Sequence, residues 1–120
     1  MLRQRSFDSV KIISIDRDKL LARLREIAER IRVERPEVAE VRVFGSVARG
    51  DHVGTSDVDV LILLEDANDR DVVGQARLFY PYFDLPVGVD VLVFTREQLS
   101  DRLRSGDAFV ERVWRESQRV

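Results

Sequence analysis

Cysteine is absent from this 120-residue chain, and histidine occurs once, as His52. Without thiols there is no disulfide scaffold, no thiolate zinc site and no cysteine nucleophile. One imidazole excludes a histidine-cluster metal centre and argues against a serine–histidine–aspartate triad. Proline (3) and glycine (6) are scarce, while hydrophobic residues reach 44% and charged residues 35%. That balance belongs to a folded globular chain, not to a disordered or fibrous one. Long apolar runs are missing too: the longest, Val60–Leu64, is far short of the roughly 20 residues a bilayer-spanning helix needs. Met1–Ser6 carries charge with no apolar stretch of signal-peptide length behind it, which makes the cytoplasm the default compartment. Neither sign of charge dominates, with 20 Lys+Arg against 22 Asp+Glu and a formal net charge of −2. Local basic patches aside, such a surface has no overall attraction for nucleic acid, and neither nucleic-acid nor membrane binding is expected.

The length suits one domain, residues 1–120, with positions 1–9 poorly ordered. Val10–Ile15 reads either as a short edge strand or as an extended lead-in. Asp16 or Asp18 is placed to cap a helix running to about Arg35. Its apolar residues Leu20, Leu21, Leu24, Ile27, Ala28 and Ile31 form one 3.6-residue stripe, and Pro36 stops it. Glu40–Phe44 reads as a strand broken by Gly45-Ser46, with Ser46–Arg49 a short helical turn before the loop Gly50–Ser56. Asp57–Leu64 is the strongest strand, apolar on both faces in its second half, as a covered central strand should be. After the turn Glu65–Asp71 comes a helix, Val72–Tyr80, weakened by Gly74, with Val72, Val73, Ala76 and Phe79 inward. Val87–Phe94 is a third strand. Thr95 with Gln98 forms a capping box for a helix to about Leu103, and Gly106 interrupts it. A last helix, Asp107–Glu116, is expected to turn Phe109, Val110, Val113 and Trp114 inward. The order predicts an α/β (α+β) domain: a small mixed sheet with helices packed against it.

Three acids stand where strands are otherwise apolar. Asp57 and Asp59 are two residues apart, so they point to one face, roughly 6.6 Å apart along the strand. Asp90 interrupts the third strand between Val89 and Val91. Buried carboxylates are unfavourable by several kcal/mol unless paired or bound to a metal, and three together repel one another. A divalent cation resolves both problems. Mg²⁺ favours a few carboxylates completed by water and substrate phosphate over an all-protein cage, and paired metals clamp the oxygens of an in-line phosphoryl displacement. Upstream, Gly45-Ser46-Val47-Ala48-Arg49-Gly50 offers close backbone approach, amides at a helix start and the Ser46 hydroxyl to an anion. Arg49 adds donors either to a triphosphate or within the protein.

Gly45-Ser46, ten intervening residues and then Asp57-Val58-Asp59 resembles the signature of the nucleotidyltransferase superfamily that includes DNA polymerase beta. The fuller Gly-Ser-x-Ala-Arg-Gly followed by Ser-Asp-x-Asp is similar to its minimal nucleotidyltransferase branch, and the resemblance spans about Val41 to Trp114. It implies the nucleotidyltransferase fold. It also implies that Gly45 and Ser46 hold the triphosphate, with Arg49 and Ser56 as further nucleotide contacts. Asp57 and Asp59 would bind Mg²⁺, and Asp90 would be the third carboxylate, a metal ligand and base for the acceptor hydroxyl. Chains of this size in that branch are commonly antitoxins that transfer AMP from ATP to a tyrosine of a HEPN ribonuclease toxin. Independently of that resemblance, a sheet edge or the final apolar helix could support a homo- or hetero-oligomer.

Other residues have plainer readings. Ser56 bonds either its own loop or a phosphate. Asp51, His52 and Asp84 belong to solvated loops. The arginines Arg23, Arg25, Arg30 and Arg32 alternate with Glu26, Glu29 and Glu34 as a solvated helix face. Tyr80 and Tyr82 border a nucleotide or partner site. Phe109 and Trp114 are expected in the core or at an interface, not as a base-stacking platform, because aromatics interleaved with basic residues are absent. Two other functions stay open: a binding protein that silences a toxin by occlusion without turnover, and nucleotidyl transfer to a small molecule.

Overall fold

A computed structural model describes residues 16–51, 57–66 and 72–120. The stretch 1–9, the segment Val10–Ile15, loop residues His52 to Ser56 and the second half of the turn Glu65–Asp71 lie outside the described residues, as do the side chains of Val72 and Val73. The elements in chain order are α1 (Arg17–Glu34), β1 (Val38–Phe44), α2 (Gly45–Arg49), β2 (Val58–Leu64), α3 (Val72–Phe79), β3 (Val89–Thr95), α4 (Arg96–Arg104), α5 (Ala108–Glu116) and β4 (Gln118–Arg119), with a 3₁₀ turn at Tyr80–Tyr82.

Local chemistry sets the helix ends. The Asp16 carboxylate accepts the Asp18 N–H at 2.8 Å and caps α1, whose six-residue apolar stripe is buried throughout. Thr95 and Gln98 complete the expected capping box on α4. Asp107 caps α5 by accepting the Val110 N–H at 3.1 Å.

The sheet is mixed, in the order β3-β2-β1-β4, with β2 parallel to β3 and β1 antiparallel to both β2 and β4. Pairing moves two strand ends from their expected positions. β1 starts at Val38, ahead of Glu40, because Val38 pairs with Leu64 across an irregularity in the ladder. β3 runs from Val89 to Thr95, the stretch opposite Val58–Leu64, and not from Val87. The two-residue β4 was not expected, since two residues carry no periodicity.

Strand alternation gives the two faces of the sheet different tasks. Val58, Val60, Ile62 and Leu64 pack into one core with the stripe of α1, together with Val41, Val43, Phe79 and Val93. Leu61 and Leu63 face the other way, into a smaller cluster with Phe94, Leu99, Val110 and Val113 beneath α4 and α5. Asp57 and Asp59 share parity with Leu61, and Asp90 shares it with Leu92 and Phe94. All three acids therefore lie on the α5 side, just beyond the apolar cluster. Truncating Leu61 or Ile62 to alanine would remove about 2–5 kcal/mol of stability, since both are fully buried. One inward assignment fails: Phe109 is 52% exposed. The α5 surface turned to the protein is centred on Val110 and Val113, and position 109 falls at its edge. Among the described residues no helix is long and apolar enough to cross a membrane.

Candidate active site

Strands β1 and β2 pair antiparallel, so the end of one lies beside the start of the next. Phe44, the last residue of β1, stands opposite Asp59, and Asp59 stands opposite Asp90 on the parallel neighbour. Adjacent strands lie about 4.8 Å apart, so the two acids are side by side. Gly45, Ser46, Arg49, Asp57, Asp59 and Asp90 all line one pocket of about 550 Å³. The wall facing them is α5, through Phe109, Arg112, Val113 and Glu116.

Two glycines make room for the acids. Gly45 has φ +70°, and a Cβ there would run into the Asp59 carboxylate, so both conformation and space demand glycine. At Gly88 a Cβ would come within 2.6 Å of Asp57 Oδ1. Gly88 also accepts the Val58 N–H through its carbonyl at 2.9 Å, fixing β3 against the start of β2. Gly88 was not singled out from sequence, although a glycine within a strand-like run is a signal of close approach.

The turn carrying the cradle is held at both ends. Phe44 offers no side-chain cap to α2, so the first turn lacks a side-chain acceptor from its cap residue. The Glu116 carboxylate, reaching over from α5, accepts the Gly45 N–H at 3.0 Å and an Arg49 N–H at 3.1 Å. At the other end Arg17 donates to the carbonyl oxygen of Val47 at 2.8 Å, and the Gln118 amide donates to that of Ala48 at 2.9 Å. Arg49, expected either at a ligand or in an ion pair, bridges Asp51 and Glu116 while lining the pocket. Arg17, Glu116 and Gln118 were missed from sequence because their partners lie 30 to 71 positions away. Ser56 lies outside the described residues. Tyr80 and Tyr82 do not line this pocket. The Tyr82 hydroxyl donates to Glu34, and the Tyr80 hydroxyl accepts the Val91 N–H. Trp114 is half-buried under the Arg42 guanidinium, 4.3 Å from its ring centre, away from the pocket.

Charge in the pocket is unbalanced. Burial raises the Asp59 carboxyl above its usual value, and the charges of Asp90 and Asp57 push it further, against the opposing pull of Arg49. Among the described residues no three acidic or imidazole side chains close into a ready-made cation cage. Asp57, Asp59 and Asp90 are nonetheless oxygen donors of the kind that Mg²⁺ would share with water and phosphate.

A glycine-bounded turn on one side and acidic strand starts on the other thus share one pocket of an α+β sheet. The chain belongs to the nucleotidyltransferase domain family, whose sequence profile matches residues 24–115. The fold is similar to that of a Sulfolobus solfataricus protein provisionally described as a nucleotidyltransferase, at 30% identity and a TM-score of 0.57, covering 72% of this chain and 75% of that one. Two toxin–antitoxin crystal structures, one with AMP-PNP and one of a mutant of MntA-HpeT, align at 20% identity and a TM-score of 0.46. They cover 88% and 89% of this chain and 72% of each of theirs, a likeness too low to establish function. A comparison with curated proteins gives no match.

Proposed function

We propose that the chain is a Mg²⁺-dependent nucleotidyltransferase that moves AMP from ATP to a hydroxyl acceptor, a tyrosine of a partner HEPN-type toxin. The observation that carries the reading is the convergence of Gly45-Ser46 and Asp57, Asp59 and Asp90 on one pocket. The tyrosine and the toxin rest on the motif's similarity to minimal nucleotidyltransferases.

In this reading the α2 amides after Gly45, the Ser46 hydroxyl and the Arg49 guanidinium bind the β- and γ-phosphates and orient the triphosphate. Asp57, Asp59 and Asp90 would hold Mg²⁺, which when bound offsets charge on the attacking and leaving oxygens. Asp90, exposed as Asp57 is, takes the proton of the acceptor hydroxyl. The acceptor oxygen bonds to the α-phosphorus as the bond to the bridging oxygen of the β-phosphate breaks, and pyrophosphate leaves. Glu116 acts as a positioning residue, fixing Gly45 and Arg49 before the nucleotide arrives.

The test is incubation with ATP labelled at the α-phosphate, Mg²⁺ and the protein encoded beside this chain's gene. Label on a tyrosine of that protein, with pyrophosphate released, is the expected result. No transfer with any nucleotide or divalent metal removes the enzymatic reading. Silencing of the partner that survives Asp57→Asn identifies occlusion instead.

A further inference from the structure

We infer that Phe109 is the stacking platform for the base of the donor nucleotide, an inference resting on the nucleotide reading of this pocket. Three large hydrophobic side chains are exposed among the described residues: Val33, Tyr80 and Phe109. Of these, only Phe109 lines the pocket. It belongs to a row on α5, with Arg112, Val113 and Glu116, that follows the 3, 4 and 7 spacing of one helix face.

The order along that row matches the order of groups in a nucleoside triphosphate. Glu116 marks the phosphate end, since its carboxylate holds the Gly45 amide and Arg49. Phe109 lies seven residues back, roughly 10 Å along the helix at ~1.5 Å per residue. An extended nucleoside triphosphate spans a comparable distance from its terminal phosphates to its base. Arg112, exposed and facing the same pocket, lies between the two, level with the sugar and α-phosphate. Asp57, Asp59 and Asp90 line the same pocket, with Asp59 packed against Gly45. An aromatic face at the far end offers a base what the acidic and phosphate-binding parts do not, an apolar plane to cover. Every base has such a face, so the contact strengthens binding more than it selects among bases.

The experiment compares binding of MgATP and of magnesium tripolyphosphate, which lacks the base, to the wild type, Phe109→Ala and Phe109→Trp. Phe109→Ala is expected to weaken MgATP by roughly 5- to 140-fold, the range for stacking one base on one ring. Tripolyphosphate should bind it as it binds the wild type, and Phe109→Trp should keep its ATP affinity. Equal weakening of both ligands would mean the ring only supports the cradle, and the inference fails. Unchanged ATP binding overturns it as well, and an accompanying rise in acceptor KM would give the ring to the acceptor. A wild type that binds neither ligand removes the nucleotide reading itself. A wild type that binds ATP but transfers nothing removes the catalytic reading and leaves the stacking result to stand by itself.

Discussion

Helix α1 and the pocket are both rich in charge, but they handle it in opposite ways. On α1, Arg23 pairs with Glu26, Arg30 with Glu34 and Arg32 with Glu29, each within the helix and each exposed. Around the pocket, Asp57, Asp59, Asp90 and Glu116 face Arg49 and Arg112. Arg49 is already shared between Asp51 and Glu116, and among the described residues none of the three aspartates forms an ion pair. Charge balanced in place serves solubility and helix stability. Charge left unbalanced in a cleft is a demand for something that is not protein.

The largest expected effect comes from removing the unbalanced charge. Asp57→Asn or Asp59→Asn should lower nucleotidyl transfer by ~10²–10³-fold or more, with the fold intact by circular dichroism. Equal activity in both variants would take these residues out of the site. A finer test moves a carboxylate without deleting it. Gly88→Ala forces the Asp57 side chain aside and should reduce kcat by about 10- to 100-fold, since misplacement near 1 Å is enough for that. A full-rate Gly88→Ala enzyme would show that Asp57 need not sit where it does.

Next comes a stability effect of opposite sign to the activity loss. The Asp59 carboxyl titrates above its ordinary value of 3.8 in the folded protein, through burial first and then the charges of Asp90 and Asp57. Between 3.8 and the raised folded value, the native state binds more protons than the unfolded chain. Stability from this group is therefore complete below 3.8 and is lost as pH rises through the folded value. In a chelator, Asp59→Asn should melt above the wild type at neutral pH and show a flatter dependence of Tm on pH through that window. A lower Tm would mean that the ionised carboxylate is satisfied within the protein. The smallest effect is expected on α1. Arg23→Gln, which breaks an exposed pair, should change unfolding free energy by no more than about 0.5 kcal/mol and leave transfer unchanged.

How far the sequence could be read depends on how local each signal is. The stripe Leu20 to Ile31, the capping box Thr95/Gln98 and the run Val60–Leu64 state their environment within a dozen residues, and each is found as expected. Asp57, Asp59 and Asp90 stood out because charge in an apolar strand has few explanations. What stayed hidden is what the other elements bring to the pocket. Glu116 and Arg112 look like ordinary polar residues of an amphipathic helix, and only the docking of α5 turns them onto the cradle. Phe109 was misplaced for the same reason. Its spacing fits the core face, but the face has an edge, and tertiary packing decides which side of that edge a ring falls on. Gly88 could have been found, since its position in a strand-like run is unusual.

The antiparallel step from β1 to β2 has a consequence for how the pocket comes together. Phe44 and Asp59 are partners on the antiparallel pair β1–β2, 15 positions apart in the chain, while Asp59 and Asp90 are partners on the parallel pair β2–β3, 31 positions apart, a longer closure. The Gly45-Ser46 turn and Asp59 thus meet through a shorter-range pairing of the chain, and Asp90 joins them through a longer-range one. Weakening β3 would uncouple them, and on the proposed reading would spare triphosphate binding while abolishing nucleotidyl transfer.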